Sequence, residues 1–531
     1  MRTWTSFLAI GAAVALFALL AGVSAASATD ANMIYWGDNS AGKISFANSD
    51  GTGNGGLVDT GSATVSDPNG VAIDAAANKI YWVNAAANSI SEASLDGTGG
   101  SNLMVSDPTL INIPAAIAID PRANKIFWVN ETGGPDNTGS ISEANLDGSD
   151  DLDLNTGNAT VNNPQGVAID PADNKIFWTN VGNNTISYAD LNNTGIGGNL
   201  TITGTASPVN TPVGLAVDSA AGKIYWADAV DPGHISSANL NGSDSQNLST
   251  TGASPLNVPA GVAIDPTANK IYWANKIGGK ISEANLDGTG DGHDLSTSGA
   301  SSSNPYFVAL LEAPLAAGPP QITGGSTAGS MLSCSQGSWA PDLLGGFLYR
   351  TPHTYAYQWT FNGADITGAT SSVETAPSGG AYACQVTATN HAGSASQTSA
   401  AFNVTGSGAP PPTTTSPLAL TNVGQSHRRW REGGNLPVIA SARPPVGTTF
   451  RFTVNTSVTV RFVFKQRLHG HNVTRGMLSF SAAHGPHKVR FEGRLSKRTK
   501  LPIGRYTLDL TATAASGNSV RTTLKFTIVK G

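Results

Sequence analysis

The side chains best suited to chemistry in residues 29–317 are two histidines, His234 and His293, and two clusters of Asp and Gly. A histidine can act as a general acid or base, and clustered carboxylates can hold a cation. Each histidine stands alone in the sequence, however. The clusters SDDLD at 149–153 and DGTGDGHD at 287–294 lack the ligand spacing and terminal Glu of a calcium loop. Solvated turns explain them better, so the sequence predicts no catalytic residue, no metal and no cofactor.

These side chains lie in the turns of a repeated unit, such as GVAIDPTANKIYWANKIGGKISEANLDG at 261–288. Short apolar runs alternate with turn residues, and no stretch is long or periodic enough for a helix. An IYW or IFW strand recurs six times, 46 to 50 residues apart, and ends at Trp36, Trp82, Trp128, Trp178, Trp226 and Trp273. A period of about 40 to 50 residues holding four short strands predicts a propeller blade, with each Trp packed between blades.

The turn between the first two strands repeats as D-x-x-x-[NG]-K. It occurs as DAAANK at 74–79, DPRANK at 120–125, DPADNK at 170–175, DSAAGK at 218–223 and DPTANK at 265–270. Asn and Gly share an easy left-handed conformation, so the fifth residue is predicted at positive φ. The leading Asp is predicted to cap the turn, because a residue repeated in every blade cannot mark one site.

The ends of the repeat region predict how the ring closes. The mature chain begins with a second strand, MIYW at 33–36, that has no first strand before it. A degenerate first strand, FVALL at 307–311, stands at the other end without its partner. Six first and six second strands make six blades, so residues 305–311 are predicted to join residues 33 to about 60 in one blade, leaving no long exposed edge.

Three of the quoted segments resemble the YWTD repeats of the low-density lipoprotein receptor family (class B repeats) and, more weakly, the NHL propellers. They are the IYW or IFW strand, ISxAxLDG and P-x-G-[VL]-A-[IV]-D. The family's fourth motif residue, Asp, corresponds here to Asp38, Asn84, Asn130, Asn180, Asp228 and Asn275. Its usual third-strand Arg is replaced by Glu92, Glu143 or Glu283. The resemblance implies a six-bladed propeller over 29–317, and the departures argue against transferring the family's ligands.

The first 28 residues are typical of a secretory signal peptide. Arg2 precedes an apolar run at 7–23, and Ala26-Ser27-Ala28 forms a small-residue cleavage site. A retained membrane anchor is the alternative, but the apolar run is short for a membrane span. The sequence therefore predicts a secreted, extracellular protein that could associate with the cell envelope and has no transmembrane segment.

Residues 318–405 resemble an immunoglobulin-like sandwich. The resemblance rests on Cys334, on Trp359 in a YQW strand and on Tyr382 two places before Cys384. It implies a disulfide between Cys334 and Cys384, and a free reactive thiol pair is the alternative. The 25 residues from Cys334 to Trp359 are more than usual for this fold, which predicts an inserted loop at 341–353.

A Pro- and Thr-rich segment, GSGAPPPTTTSP at 406–417, predicts a semi-rigid linker. Beyond it, residues 418–531 contain no Cys and alternate apolar residues with Thr, Arg or Lys, as in SVTVRFVF at 457–464. An alternation with period two predicts strands buried on one face, and hence a second sandwich. The predicted fold class is all-β, with a six-bladed propeller followed by two β-sandwich domains.

Charge is divided unevenly along the chain. Residues 418–531 hold 19 Lys and Arg against 3 Asp and Glu, a balance of +16, whereas 29–317 hold 9 against 30, a balance of −21. Nucleic acid is an unattractive partner, because the aromatic residues of the basic strands alternate into a core and the chain is predicted to be exported. An anionic cell-envelope polymer, acidic glycans, the chain's own propeller and a merely solvated basic face remain open.

Two functional classes remain. One is a secreted or cell-surface-associated adhesion protein that binds an extracellular protein or glycan on a propeller face and attaches through its basic domain. The other is a propeller enzyme of the lactonase or lyase type, which needs unlike polar groups converging at the channel mouth. The first strands offer mainly Val, Ala, Ile and a repeated Asp, so the sequence favours the non-enzymatic binding protein.

Ligand contacts are predicted on the loops between the second and third strands, which differ most among the repeats. The longest are NETGGPDNTGS at 130–140 and DAVDPGH at 228–234. Variable polar loops on a rigid ring are where specificity is usually placed. The candidate contacts are Glu131, Asp136, Asn137, Asp231 and His234.

Overall fold

A computed structural model describes residues 32–52, 55–134, 138–406, 419–431, 447–468, 471–495, 499–514 and 519–530. Its regular structure is nearly all β-strand, and the helices among these residues are two short 3-10 turns, η1 (Pro108–Leu110) and η2 (Leu344–Gly346). The chain divides into two compact units, Met1–Pro411 and Pro412–Gly531. The predicted signal peptide lies outside the described residues, as does the predicted linker apart from Gly406.

The propeller is built from short strands that form six sheets. In the first part of the ring they are β1 (Met33–Asp38), β2 (Lys43–Asn48), β3 (Gly56–Leu57), β4 (Pro68–Asp74), β5 (Lys79–Asn84), β6 (Ser89–Ser94), β7 (Gly100–Asn102), β8 (Pro114–Asp120), β9 (Lys125–Asn130), β10 (Ser140–Asn145) and β11 (Leu152–Asp153). In the second part they are β12 (Pro164–Asp170), β13 (Lys175–Asn180), β14 (Thr185–Asp190), β15 (Gly197–Asn199), β16 (Pro212–Asp218), β17 (Lys223–Asp228), β18 (His234–Asn239), β19 (Gln246–Asn247), β20 (Pro259–Asp265), β21 (Lys270–Asn275), β22 (Lys280–Asn285), β23 (His293–Asp294) and β24 (Pro305–Leu311).

The ring closes as the strand count predicted. Blade 1 combines β24 with β1, β2 and β3, and blades 2 to 6 follow in chain order with four strands each. Strand β24 pairs antiparallel with β1, with Met33 opposite Leu311 and Trp36 opposite Val308. The six first strands contact one another in sequence order, and β24 completes the circle by touching both β20 and β4. The all-β propeller is therefore confirmed.

A buried polar network explains the fourth motif position. In blade 2, the Asn84 Oδ1 atom accepts a 2.9 Å bond from the Ser66 N–H, and its Nδ2 donates to the Ser91 hydroxyl at 2.9 Å. The Ser91 hydroxyl donates in turn to Asn102 of the outer strand. Asn130, Asn180 and Asn275 bond in the same way to the N–H groups of Asn112, Asn162 and Asn257 and to the hydroxyls of Ser142, Ser187 and Ser282. The network ties together the strands of each blade, and the six motif Trp side chains beside it are 0% exposed.

The turns and third strands also show why their residues recur. Asn78, Asn124, Asn174, Gly222 and Asn269 all have φ between 54° and 65°, as the sequence predicted. Asp74 caps its turn by accepting the Ala77 N–H at 2.9 Å. The three Glu residues in the place of the family's Arg form ion pairs with lysines of the second strand. The pairs are Lys79–Glu92, Lys125–Glu143 and Lys270–Glu283, at 2.8 to 3.1 Å.

The strands of the domain after the propeller form three small sheets, one of which is the two-stranded β25-β28. The strands of this domain are β25 (Ala316–Gly318), β26 (Ile322–Gly324), β27 (Ser330–Cys334), β28 (Ser338–Trp339), β29 (Leu348–Tyr349), β30 (Thr354–Phe361), β31 (Ala364–Asp365), β32 (Val373–Ala376), β33 (Gly380–Thr389), β34 (Ser394–Thr398) and β35 (Phe402–Val404). The disulfide between Cys334 and Cys384 is confirmed, and it joins the sheet β26-β27-β32 to the sheet β31-β30-β33-β34. Trp359 is fully buried beside it, and the Tyr382 hydroxyl donates to the Ser378 carbonyl at 3.1 Å.

The inserted loop predicted at 341–353 enters the propeller channel, which the sequence did not indicate. Strand β29 pairs in parallel with β24, and the Leu310 and Glu312 N–H groups donate to the Phe347 and Tyr349 carbonyls at 2.8 Å. The turn η2 contacts the first strands of blades 3 to 6. We call residues 341–353 the plug.

Two glycines let the plug approach the channel wall. A Cβ atom on Gly345 would lie 2.5 Å from the Ile169 carbonyl oxygen, and one on Gly346 would lie 2.8 Å from the Ile264 side chain. Real Cβ atoms do not come so close, so only glycine fits at these positions without local movement. Ile169 and Ile264 stand one residue before the end of their first strands, and the plug therefore occupies the channel end where the first strands finish.

The C-terminal unit has two sheets around one aromatic core. Its strands are β36 (Leu420–Gln425), β37 (Arg429–Arg431), β38 (Thr448–Val454), β39 (Val458–Leu468), β40 (His471–Ala482), β41 (Gly485–Phe491), β42 (Gly504–Ala514) and β43 (Ser519–Val529). One sheet has the order β36-β38-β41 and the other β37-β43-β42-β39-β40. Between them pack Phe450, Phe462 and Phe464, all 0% exposed, and the predicted alternation of apolar and polar residues is confirmed.

Candidate binding face

The loops between the second and third strands all lie at the channel end opposite the plug. In blade 2 the start of the first strand, Pro68, is paired with the end of the second strand, Asn84. Pro164 and Asn180 are paired in the same way in blade 4. We call the surface formed by these loops and by the starts of the first strands the mouth face.

Six side chains converge where the mouth face meets the channel axis. Each follows the Pro that opens a first strand, and each is less than 9% exposed. They are Asn69, Ala115, Gln165, Val213, Ala260 and Tyr306. Tyr306 of blade 1 reaches the blade directly opposite, where its hydroxyl donates to the Gln165 Oε1 atom at 3.0 Å. This bond spans the channel and closes it from the mouth side.

Charged groups from three blades surround this closure. The Lys276 ammonium of blade 6 lies 4.2 Å from the centre of the Tyr306 ring. Burial lowers the pKa of Lys276, and the carboxylates of Glu131 and Asp67 act in the opposite direction. The same two carboxylates add to the effect of burial in raising the pKa of Tyr306. The mouth therefore presents one partly desolvated cation and two anions around an aromatic ring that is held in place.

The predicted contact residues are divided by the structure. Glu131 of blade 3 is half-buried at the mouth, and its N–H donates to the Ile113 carbonyl at 3.1 Å. Asp136 and Asn137 lie outside the described residues. Asp231 is exposed in the loop of blade 5, and the half-buried His234 opens the third strand at the same face.

Sequence reasoning missed Lys276, Tyr306, Gln165 and Asp67. One signal could have found two of them, because the position after the first-strand Pro varies from Ala to Tyr while the rest of the strand is nearly constant. A position that varies inside a uniform repeat is a candidate for specificity. Lys276 and Asp67 gave no comparable signal, since charged residues are ordinary in surface turns.

The histidines and acidic clusters do not assemble into a site in the described parts of the chain. His234 belongs to blade 5 and His293 to blade 6, where its Nε2 lies 3.4 Å from a Glu283 carboxylate. The cluster carboxylates are occupied within turns and blades: Asp153 accepts the Ser142 hydroxyl, and Asp287 accepts the Thr289 N–H. No group of three or more His, Cys, Asp or Glu side chains able to hold a metal occurs among the described residues.

Cavities occur on the flank of the ring. One of about 410 Å³ lies beside blades 4 and 5 and is lined by Ile186, Leu200, Ile202 and Val209 together with Asn184 and Ser245. A second, of about 300 Å³, lies beside Lys175 and Tyr188. A catalytic pocket normally gathers several convergent polar and titratable side chains, whereas Lys175 is the one charged side chain among the lining residues of these two cavities.

Two segments of the propeller, residues 78–121 and 222–266, match the low-density lipoprotein receptor repeat class B family. Both are class B repeats. Each segment runs from the left-handed residue of a first turn to the first strand of the next blade, so the match includes Trp82 with Asn84 and Trp226 with Asp228. No curated protein matches the sequence.

Several solved structures are similar to the chain. A crystal structure of a nidogen/laminin complex contains a chain with 19% identity and a TM-score of 0.41, covering 52% of this chain and 97% of that one. A functionally unknown protein from Desulfotomaculum acetoxidans has 12% identity and a TM-score of 0.36, with 52% and 99% covered. A luciferin-regenerating enzyme has 12% identity and a TM-score of 0.30, with 65% and 94% covered.

Proposed function

We propose that the protein is a secreted or cell-surface-associated binding protein. Its mouth face recognises an extracellular protein or glycan, and its basic C-terminal unit attaches it to an anionic polymer of the cell envelope. The protein is a binding platform in this proposal, with no reaction of its own.

The observation that supports recognition by a surface is the closure of the channel at both ends. The plug fills one end, and the bond from Tyr306 to Gln165 crosses the other. An enzyme needs a recess in which polar groups surround the reacting atoms. What remains at the mouth is a fixed arrangement of exposed and half-buried charges, which suits a partner that lies across the ring.

Two observations support the extracellular location. The Cys334–Cys384 disulfide is of a kind that forms and persists in oxidising compartments. The signal-peptide pattern at 1–28 points the same way. No helix with the length and apolar character needed to cross a bilayer occurs among the described residues.

A capture experiment with the full-length secreted protein tests the proposal. The protein is incubated with medium and envelope extract of the producing cell, and retained molecules are compared with those retained by a variant. In the variant, the loops at 131–139 and 229–233 are replaced by VGNN, the short loop of blade 4. We expect the wild type alone to retain a ligand through the propeller, with both proteins melting at similar temperatures.

The enzymatic alternative is tested on the same samples. Turnover in an esterase, lactonase or lyase screen that the loop replacement abolishes would overturn the proposal. Equal ligand retention by both proteins would move the recognition site away from these loops.

A further inference from the structure

One surface of the C-terminal unit concentrates its positive charge. On the sheet β37-β43-β42-β39-β40, alternate residues point away from the aromatic core, as the burial patterns of β42 and β43 show. On strands β39, β42 and β43 these outward positions hold six basic side chains, which define what we call the basic sheet face: Arg461, Lys465, Arg467, Arg505, Arg521 and Lys525.

The strand register arranges four of these side chains in two rows. Arg461 stands opposite Thr511, which stands opposite Arg521, and Lys465 is related in the same way to Thr507 and Lys525. Each row thus has a cation on both sides of a threonine, and the two cations are about 10 Å apart, because neighbouring strands are about 4.8 Å apart. An oxyanion over the threonine could be reached from both sides.

One carboxylate lies inside this array. Asp509 is 4% exposed and accepts bonds from Lys465, at 2.7 Å, and from Arg521. Asp509 therefore contacts one cation of each row, and its single negative charge offsets only one of the two. Arg461 and Lys525 have no carboxylate partner among the described ion pairs, nor do Arg467 and Arg505.

The other sheet of the unit offers a comparison. Its outward basic residues are Arg451, Lys488 and Arg490, and Arg490 is paired with Glu492 at 3.1 Å. It carries half as many basic residues as the basic sheet face. Both faces are exposed, so a difference in binding between them would reflect arrangement and not the net charge of the unit.

We propose that the basic sheet face binds a polymer of phosphodiesters. Each phosphate lies over a threonine, between the two cations of its row. This rests on the proposed attachment function and names the surface and the ligand chemistry. Arginine presents a planar fork of donors that matches a phosphate, and hydroxyl side chains are common phosphate contacts. The face shows no aromatic ring among its described outward residues, so stacking on sugars contributes nothing to recognition.

The test uses the full-length secreted protein and poly(glycerol phosphate) as the probe. In one variant, Arg461→Gln, Arg505→Gln and Lys525→Gln remove three unpaired cations from the basic sheet face. In the matched control, Arg451→Gln, Lys488→Gln and Arg490→Gln remove the same charge from the other sheet. Melting curves verify that each protein is folded, and affinity is measured between 50 and 300 mM salt.

We expect the first variant to lose at least about tenfold in affinity while the control stays within about threefold. Each lost phosphate contact lowers the slope of log affinity against log salt by about 0.7, so the first variant should lose about 2 from that slope. Polygalacturonate of matched charge should bind at least about tenfold more weakly than poly(glycerol phosphate), and single-stranded DNA should bind no more tightly.

Each of the other outcomes would contradict a specific part of the proposal. Equal losses in both variants would mean that net charge alone drives binding, and a loss in the control alone would place the site on the other sheet. Equal binding of polygalacturonate would overturn the phosphate chemistry, and tighter binding of DNA would overturn the choice of polymer. If the wild type bound neither this polymer nor isolated envelope, the attachment function itself would fail.

Discussion

The two ends of the propeller channel are closed by different parts of the chain. At the mouth, Tyr306 and Gln165 from opposite blades of the ring bond across the axis. At the other end, the plug from the following domain supplies Phe347, Leu348 and Tyr349, each less than 5% exposed. The ring therefore closes one end with its own side chains and takes the other closure from outside the repeat.

The charged side chains at the two ends of the channel also differ in their surroundings. At the plugged end, burial and the neighbouring Asp265 raise the pKa of Glu312, which Arg350 opposes from within the plug. At the mouth, Glu131 and Asp67 stand close enough to act on the pKa of Lys276. Glu312 is paired with Arg350 inside the protein, whereas Asp67 is exposed at the mouth and Glu131 and Lys276 are half-buried there.

The largest expected effect comes from opening the ring itself. Deleting residues 29–60 removes β1, β2 and β3, so β24 loses its antiparallel partner and keeps only the short pairing with β29. An exposed edge and two bare blade faces should cause aggregation or cost most of the free energy of unfolding. Size-exclusion chromatography and calorimetry measure this, and a monomeric deletion variant with unchanged melting would contradict the closure.

The second largest effect on stability is expected from weakening the plug. Leu348→Ala removes a fully buried side chain from the plugged end and is expected to lower the free energy of unfolding by about 2 to 5 kcal/mol. Leu315→Ala is the control, since Leu315 is 42% exposed and its loss should change stability by no more than about 0.5 kcal/mol. Equal effects of the two substitutions in urea unfolding would mean that the plug adds no stability.

Substituting Asp228 should change stability by a smaller amount, and the change should depend on pH. Burial raises the pKa of Asp228 from 3.8 to about 6, against bonds from the Asn210 N–H and the Trp226 indole. The folded protein then holds this proton more tightly than the unfolded chain, so this carboxyl lowers stability as pH rises from about 4 to 6. Asp228→Asn, which restores the residue of four other blades, should stabilise by about 1 to 3 kcal/mol at pH 7 and by little at pH 4.

Asp38 is the control for that substitution. Burial alone would raise its pKa, but bonds from Ser301, Ser303 and Ala41 outweigh burial and lower it. Asp38→Asn should therefore destabilise the protein at pH 7. Melting temperatures that moved in the same direction for both variants would show that the two blades do not differ in this way.

The smallest effect is expected at the mouth closure. Tyr306→Phe removes one hydrogen bond to Gln165 and leaves the ring and its contact with Lys276 in place. A neutral hydrogen bond contributes about 1 kcal/mol, so we expect the free energy of unfolding measured in urea to fall by about that amount. A loss as large as that of Leu348→Ala would mean that both ends stabilise the ring equally.

The repeat made most of the propeller predictable. Each blade repeats the same strands, turn and Trp, so counting the copies predicted six blades. The unmatched strands at the two ends, which contain Met33 and Leu311, predicted the pairing that closes the ring. The left-handed Asn78 and its equivalents followed from residue type alone. Domain boundaries stay a prediction, as do the immunoglobulin-like nature of 318–405 and the ligand contacts at Asp231 and His234.

The plug and the mouth could not be predicted for a physical reason. Both depend on contacts between residues far apart in the chain, such as Leu348 with Leu310 and Tyr306 with Gln165. Local patterns report strands and turns, but they do not report which loop enters which channel. Only the length of the insertion at 341–353 signalled that something unusual stood there.

The role of the mouth face in binding is tested most directly by comparing lysines at the two ends of the ring. Lys276 lies over Tyr306 at the mouth, and Lys175 lies over Tyr188, 5.2 Å from the ring centre, in the turn at the plugged end. Ligand retention from envelope extract is measured for Glu131→Gln with Lys276→Gln and for Asp173→Asn with Lys175→Gln in the full-length protein. We expect at least about tenfold weaker retention for the mouth pair and unchanged retention for the other pair. Unchanged retention for the mouth pair, or an equal loss for both, would contradict this role of the mouth face.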